Sequence, residues 1–133
     1  MPLNVALEGK SYPPVRFVVD PEHVRRFAAA IGEDEAEGMP PTFVTAPEIL
    51  AGLAQVVADP ELGMDFTRVV HGGQEYEWRR ALRIGEALEV RSTIEDIRTK
   101  GGHGFLTLRT EMRDEEGALV VVARSTLIER GEG

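Results

Sequence analysis

T-A-P-E-I-L-A-G-L-A-Q-V-V-A-D, residues 45–59, decides how the rest of the chain is read. It opens as a helix does: Thr45 can cap the first turn, Pro47 tolerates an early helical position, and Glu48 stands three residues after the cap to close a capping box. Beyond that the side chains are apolar nearly all the way round: Ile49, Leu50, Ala51, Leu53, Ala54, Val56, Val57 and Ala58. Glu48 and Gln55 interrupt this run and, seven residues apart, share one narrow face. A surface helix carries a broad polar half, so this helix is expected to be buried on most sides.

Downstream the period changes from helical to two. Val70, Gly72, Gln74, Tyr76 and Trp78 alternate with His71, Gly73, Glu75, Glu77 and Arg79, which predicts a strand with one wetter face. After a turn at Ile84-Gly85-Glu86, Leu88, Val90, Ser92 and Ile94 alternate with Glu89, Arg91, Thr93 and Glu95. Lys100-Gly101-Gly102-His103 signals a hairpin. Leu106, Leu108 and Thr110 then face away from Thr107, Arg109 and Glu111, and a turn at residues 114–117 leads to the most apolar strand, 118–128, whose run 118–123 reads as buried on both faces. Upstream, residues 15–19 form a short β-like run, and Asp20-Pro21 starts a helix with Val24, Phe27, Ala28 and Ile31 on one face and Gly32 at its end. The acidic residues 33–37 read as a solvated connection. Pro40-Pro41 then restricts the backbone, so Thr42 and Phe43 are delivered to the central helix in a fixed position. Four long strands joined by short turns behind a buried helix predict an α+β domain, a long antiparallel β-sheet wrapped around a central α-helix. Such a sheet leaves an edge and a face to cover, which predicts a dimer.

The 133 residues form one domain, 1–133, large enough for a core. With 23 acidic and 15 basic residues the formal charge is −8, which argues against nucleic acid as a partner. The absence of cysteine excludes disulfides, thiolate metal sites and a cysteine nucleophile. There is neither a basic, apolar N-terminus nor a run of about 18 apolar residues, so the expectation is no signal peptide, no membrane span and a cytoplasmic location. The three histidines lack metal-ligand spacing, so no metal is expected, and no cofactor.

The order of elements resembles the hotdog fold, and the detail resembles the N-terminal type of MaoC-like dehydratase domain (the FAS1-like dehydratase type). The resemblance spans about residues 9–130. It rests on G-K-S-Y-P at 9–13 with V-R-R-F-A-A-A-I-G at 24–32, P-P-T-F at 40–43, H-G-G-Q-E-Y-E-W at 71–78 and R-R-A-L-R-I-G-E at 79–86. It implies an acyl thioester, acyl-CoA or acyl-ACP, as substrate and the interconversion of (3R)-hydroxyacyl and trans-2-enoyl groups. Catalytic members resemble one another in a motif G-D-x-N-P-x-H after the first helix, whose Asp and His share a water and supply base and acid. Here the corresponding residues 32–38 read G-E-D-E-A-E-G, without Asn-Pro or His. The resemblance therefore implies the non-catalytic half of a pair, in a heterodimer with a catalytic MaoC-like subunit.

Two alternatives stand beside it. An active homodimeric hydro-lyase would use His71 with an acidic residue of the 33–37 loop. An acyl-CoA thioesterase or acyl-ligand binding module would be the other, the thioesterase depending on Glu48, although the capping box already accounts for that residue. His71 is the catalytic candidate, with Gly72 and Gly73 allowing a thioester close to the backbone, and Glu75 accompanies it. Pro41, Thr42, Phe43, Gln74 and Arg80 complete the expected substrate-binding set. Arg79, Arg80 and Arg83 suit phosphates, or else form a solvated edge paired with Glu77 or Glu86. Tyr76 and Trp78 read as core residues, His103 as an exposed turn residue, and His23 as a histidine without a partner visible in the sequence.

Overall fold

A computed structural model describes residues 3–33 and 39–131, so most of the acidic connection, residues 34–38, lies outside it. Five strands form one antiparallel sheet: β1 (Val15–Val18), β2 (Val69–Trp78), β3 (Ala87–Lys100), β4 (His103–Arg113) and β5 (Leu119–Glu129), in the order β1-β3-β4-β5-β2. The sheet lies against the central helix as the sequence predicts, with the short run at 15–18 joining as a fifth strand on β3. The β3–β4 hairpin closes Lys100 against His103, with Gly101 and Gly102 both at positive φ, as a tight hairpin turn needs. Helix α1 (Pro21–Ala30) is capped by the Asp20 side chain, which accepts from Glu22 N. Among the described residues no helix is long and apolar enough to cross a membrane.

The central helix differs from its expected form both in where it begins and in how much of it is buried. Pro40 and Pro41 start a 3-10 turn (Pro41–Val44), so Thr45 already lies inside the helical run and its hydroxyl donates back to the Thr42 carbonyl. It caps nothing, and Glu48 closes no capping box. Pro47 removes a donor inside this run. Directly after it the turn widens into a π-helical segment (Glu48–Leu53), in which Ala54 N bonds the Ile49 carbonyl five residues back. The helix is also not buried on most sides: Ile49 is 51% and Leu50 60% exposed, and Ala54 and Ala58 share that outward side. Its other side meets the sheet.

Two apolar clusters fill the space between helix and sheet. Phe43, Val44, Ala46 and Ala51 pack with Val19, Leu88, Val90, Met112 and Val121 at the start of the helix. Leu53, Val56 and Leu62 pack with Ile94, Leu106, Leu108 and Leu127 towards its end. A polar belt runs between them. Ser92 and Thr110, both buried, bond each other at 2.7 Å across β3 and β4, and Gly52 lies directly above them.

The far end of the helix is held by Asp59. Its carboxylate accepts from Lys10 Nζ and from the Tyr12 hydroxyl, both at 2.7 Å, and from Glu61 N at 2.9 Å. The Lys10 bond first, then the Tyr12 bond, hold its pKa down from 3.8 to about 2. A carboxylate depressed in the folded state contributes stability above its unfolded pKa, and that stability is lost as pH falls through the folded value. With allowance for solvent around Lys10, which is 36% exposed, Asp59→Asn is expected to cost about 1–2 kcal/mol at pH 7. Urea melts of wild type and variant should converge between about pH 4 and pH 2. A gap that stays constant across that range would show that the ion pair contributes nothing.

Candidate functional site

Strand β2 carries most of the expected site, and its register is not the one a strict alternation predicts. His71 pairs with Leu127, but Gly73 pairs with Thr126, so Gly72 is an extra residue in a β-bulge. The bulge exchanges the two faces. After it Gln74, Tyr76 and Trp78 oppose Ser125, Ala123 and Val121 on the helix-facing side; before it that side belongs to His71. His71 therefore shares a face with Gln74, Tyr76 and Trp78, not with Glu75 and Glu77. At Gly72 a Cβ would come within 2.5 Å of Ile128 Cδ1, so the missing side chain leaves room for Ile128. His71 itself is exposed, and its Nε2 bonds the Gly73 carbonyl at 2.9 Å across the bulge.

The central polar feature is Glu48. Its side chain turns under the helix, 2% exposed, and meets three neutral donors. Tyr76 donates its hydroxyl to Oε1 at 2.6 Å, and Gln74 donates Nε2 to Oε2 at 3.0 Å. The Ser125 hydroxyl lies 2.5 Å from the same Oε2 and 2.7 Å from Gln74 Oε1. Burial, and then the bond to Glu48, push the Tyr76 phenol above its ordinary pKa. The network ties the π-helical turn to β2 and β5. Sequence reasoning placed Gln74 at the site but assigned Glu48 to a cap. The available signal was one carboxylate on an otherwise apolar helix, with hydrogen-bonding residues at Gln74, Tyr76 and Ser125 on distant strands.

Beside this network a cleft of about 480 Å³ opens between Met39, Pro40 and Pro41 on one side and residues 78–82 on the other. It contains two of the expected substrate-binding residues, Pro41 and Arg80. Trp78, read from the sequence as core, is 40% exposed and forms part of its wall, with the Tyr76 ring 6.3 Å away. Thr42 is exposed beside the cleft, whereas Phe43 is fully buried under α1, edge-on to His23 and Phe27 with centroids 5.0 and 5.4 Å apart. Phe43 thus belongs to the core, and His23 has an aromatic partner. Arg80 forms a bidentate pair with Glu86, at 2.7 and 3.0 Å, and reaches Asp114 at 3.5 Å. These contacts fix the connection from β2 to β3 that makes the cleft wall. His103, exposed in its turn, accepts from Gly131 N through Nδ1. Among the described residues no group of three or more His, Asp or Glu is placed to hold a metal ion.

Comparison with known proteins agrees with this architecture. The chain is 40% identical to a UPF0336 protein of Streptomyces coelicolor, over 98% of this chain and 97% of that one. In fold it is similar to a chain of the C-terminally truncated HadBC (3R-hydroxyacyl-ACP dehydratase) complex from Mycobacterium tuberculosis, with a TM-score of 0.69, 24% identity and coverage of 92% and 96%. It is likewise similar to the MaoC-like dehydratase from Phytophthora capsici, with a TM-score of 0.78, 19% identity and coverage of 97% of this chain and 50% of that one. The family model described as the FAS1-like dehydratase domain region matches residues 6–123. With a five-stranded antiparallel sheet curled on a central helix, this chain is a hotdog-fold protein and belongs to the FAS1-like dehydratase domain family.

Proposed function

We propose that this chain is the non-catalytic half of an acyl-thioester hydratase/dehydratase, completing a dimer with a partner that carries the Asp–His pair. The reaction is the interconversion of (3R)-hydroxyacyl and trans-2-enoyl thioesters: water adds with its hydroxyl at C3 and a proton at C2, or leaves by the reverse. The observation that carries the reading is the position of Trp78. It lines the apolar cleft and also ends β2, the ten-residue edge strand bonded on one side only, to β5. An acyl-sized space thus borders the strand that a second subunit would pair with. The exposed Ile49 and Leu50 supply apolar surface for the same contact.

Of the acid–base candidates read from the sequence, His71 and Glu48 are already engaged, whereas the acidic residues 34–37 offered as a partner for His71 lie outside the described residues. His71 Nε2 is bonded to its own strand, and both Glu48 oxygens are occupied by donors in a buried network. This favours a partner as the source of the chemistry over an active homodimer built on His71. The HadBC complex, to which the chain is similar in fold, is a (3R)-hydroxyacyl-ACP dehydratase.

The test is loss of enoyl absorbance with crotonyl-CoA and a longer trans-2-enoyl-CoA. The purified chain alone is expected to leave both unchanged, and its complex with a co-purified partner to hydrate at least one. Turnover by the chain alone, abolished in His71→Ala, would overturn the reading and make His71 the acid–base group. Release of free thiol, dependent on Glu48, would assign a thioesterase instead.

A further inference from the structure

We infer that Arg79, and not Arg80, is the cation of this cleft that seats a phosphate of the thioester's carrier arm, which makes it a specificity-determining residue; the inference rests on the thioester reading above.

Three arginines lie in R-R-A-L-R, and the structure separates them. Arg80 is committed: Glu86 takes both of its terminal nitrogens, and Asp114 and the Ala81 carbonyl take further contacts. An incoming phosphate would have to displace two carboxylates. Arg83 borders a neighbouring depression shared with Glu86, Asp114, Glu115 and Glu116, whose charges repel an anion. Arg79 is placed differently. Its side chain is 56% exposed, and its ion pair is with an equally exposed Glu77 at 3.9 Å, a contact that contributes little. Its backbone is anchored, N–H to the Val120 carbonyl at 2.8 Å, so the guanidinium swings from a fixed point.

The surroundings complete the argument. Among the described residues the cleft lining holds two arginines and no carboxylate, on a chain whose formal charge is −8. A local cation beside apolar walls is what draws an anionic, apolar-tailed ligand to an otherwise repelling surface. Arginine's planar fork matches phosphate oxygens in a bidentate way. Pro40, Pro41, Leu82 and the Trp78 ring would take the hydrocarbon part.

The same geometry supplies the readout, because Trp78 is the single tryptophan of the chain. The experiment titrates Trp78 emission, with calorimetry as a second measure, in the full-length chain against decanoyl-CoA, decanoyl-4′-phosphopantetheine and the phosphate-free decanoyl-N-acetylcysteamine. Wild type at low salt is expected to bind a phosphate-bearing thioester about tenfold more tightly than the phosphate-free one. Arg79→Gln should abolish that preference and leave affinity for the phosphate-free thioester unchanged. The wild type should lose the preference in about 0.5 M salt, where exposed ionic contacts are screened. A full preference with phosphopantetheine supports Arg79 and assigns the phosphate that CoA and a carrier protein share. A preference seen with CoA alone supports Arg79 and assigns the nucleotide phosphates. A preference that survives in Arg79→Gln overturns the assignment, as does equal wild-type affinity for all three, while the thioester reading stands. Binding of none of the three overturns the thioester reading and the Arg79 assignment with it.

Discussion

Replacing Glu48 by alanine is expected to cost about 3–4 kcal/mol of folding free energy and to lower Tm by roughly 10–15 °C. The carboxylate is 2% exposed and accepts from Tyr76, Gln74 and Ser125. Alanine removes the acceptor of three side chains at once and leaves a void among them. An unsatisfied buried donor costs about 1–3 kcal/mol, more than a hydrogen bond contributes when made. Glu48→Gln keeps the volume and one acceptor oxygen, so its loss should be smaller, about 1–2 kcal/mol. The ordering of the two variants is the informative part of the urea denaturation experiment. If alanine were as stable as glutamine, to within about 0.5 kcal/mol, water would be filling the site and the network would not hold the helix to β2 and β5.

Gly52→Val should be nearly as damaging, about 3 kcal/mol. A Cβ at this position would lie 2.6 Å from Ser92 Oγ and 3.1 Å from Thr110 Cγ2. Both atoms belong to the buried hydrogen-bonded pair of β3 and β4, so neither can turn aside without breaking that bond. Two effects oppose each other in Gly52→Ala. Alanine is favoured over glycine inside a helix by about 1 kcal/mol, while lifting the helix off the sheet loosens contacts in both apolar clusters. Packing dominates, because the contact is below the distance that Cβ atoms tolerate, and a net loss of about 1–2 kcal/mol is expected for alanine. A stability gain in Gly52→Ala, read from the urea midpoint, would show that the helix can ride higher at no cost.

Much of the architecture was legible in the chain. The helix start at Asp20-Pro21, the two-residue period in the first half of β3, the Gly101-Gly102 turn and the burial of both faces at residues 120–123 all reappear where the sequence put them, although Ala118 is exposed and β5 alternates beyond Ala123. The errors concern which way side chains point. Glu48 fitted a capping box because the pattern T-x-x-E carries no information on where the helix really begins, and Pro40-Pro41 began it earlier. The alternation along β2 was right on either side of Gly72 but joined in the wrong phase, since one inserted residue exchanges the faces of everything beyond it. Two adjacent glycines in a strand were the signal for that bulge.

For this protein, then, the amino-acid order by itself determined the elements, the sheet around a helix and the family. Backbone preferences and hydrophobic period depend on residues a few positions apart, and these are written in the chain. The tertiary structure alone decided the site. Glu48 meets partners 26, 28 and 77 residues away, and Arg79 and Arg80, adjacent in sequence, are separated by whether Glu86 and Asp114 come within reach. Hydrogen bonds and ion pairs act over about 3 Å, so what a polar side chain can do depends on which distant residues the fold brings to that distance.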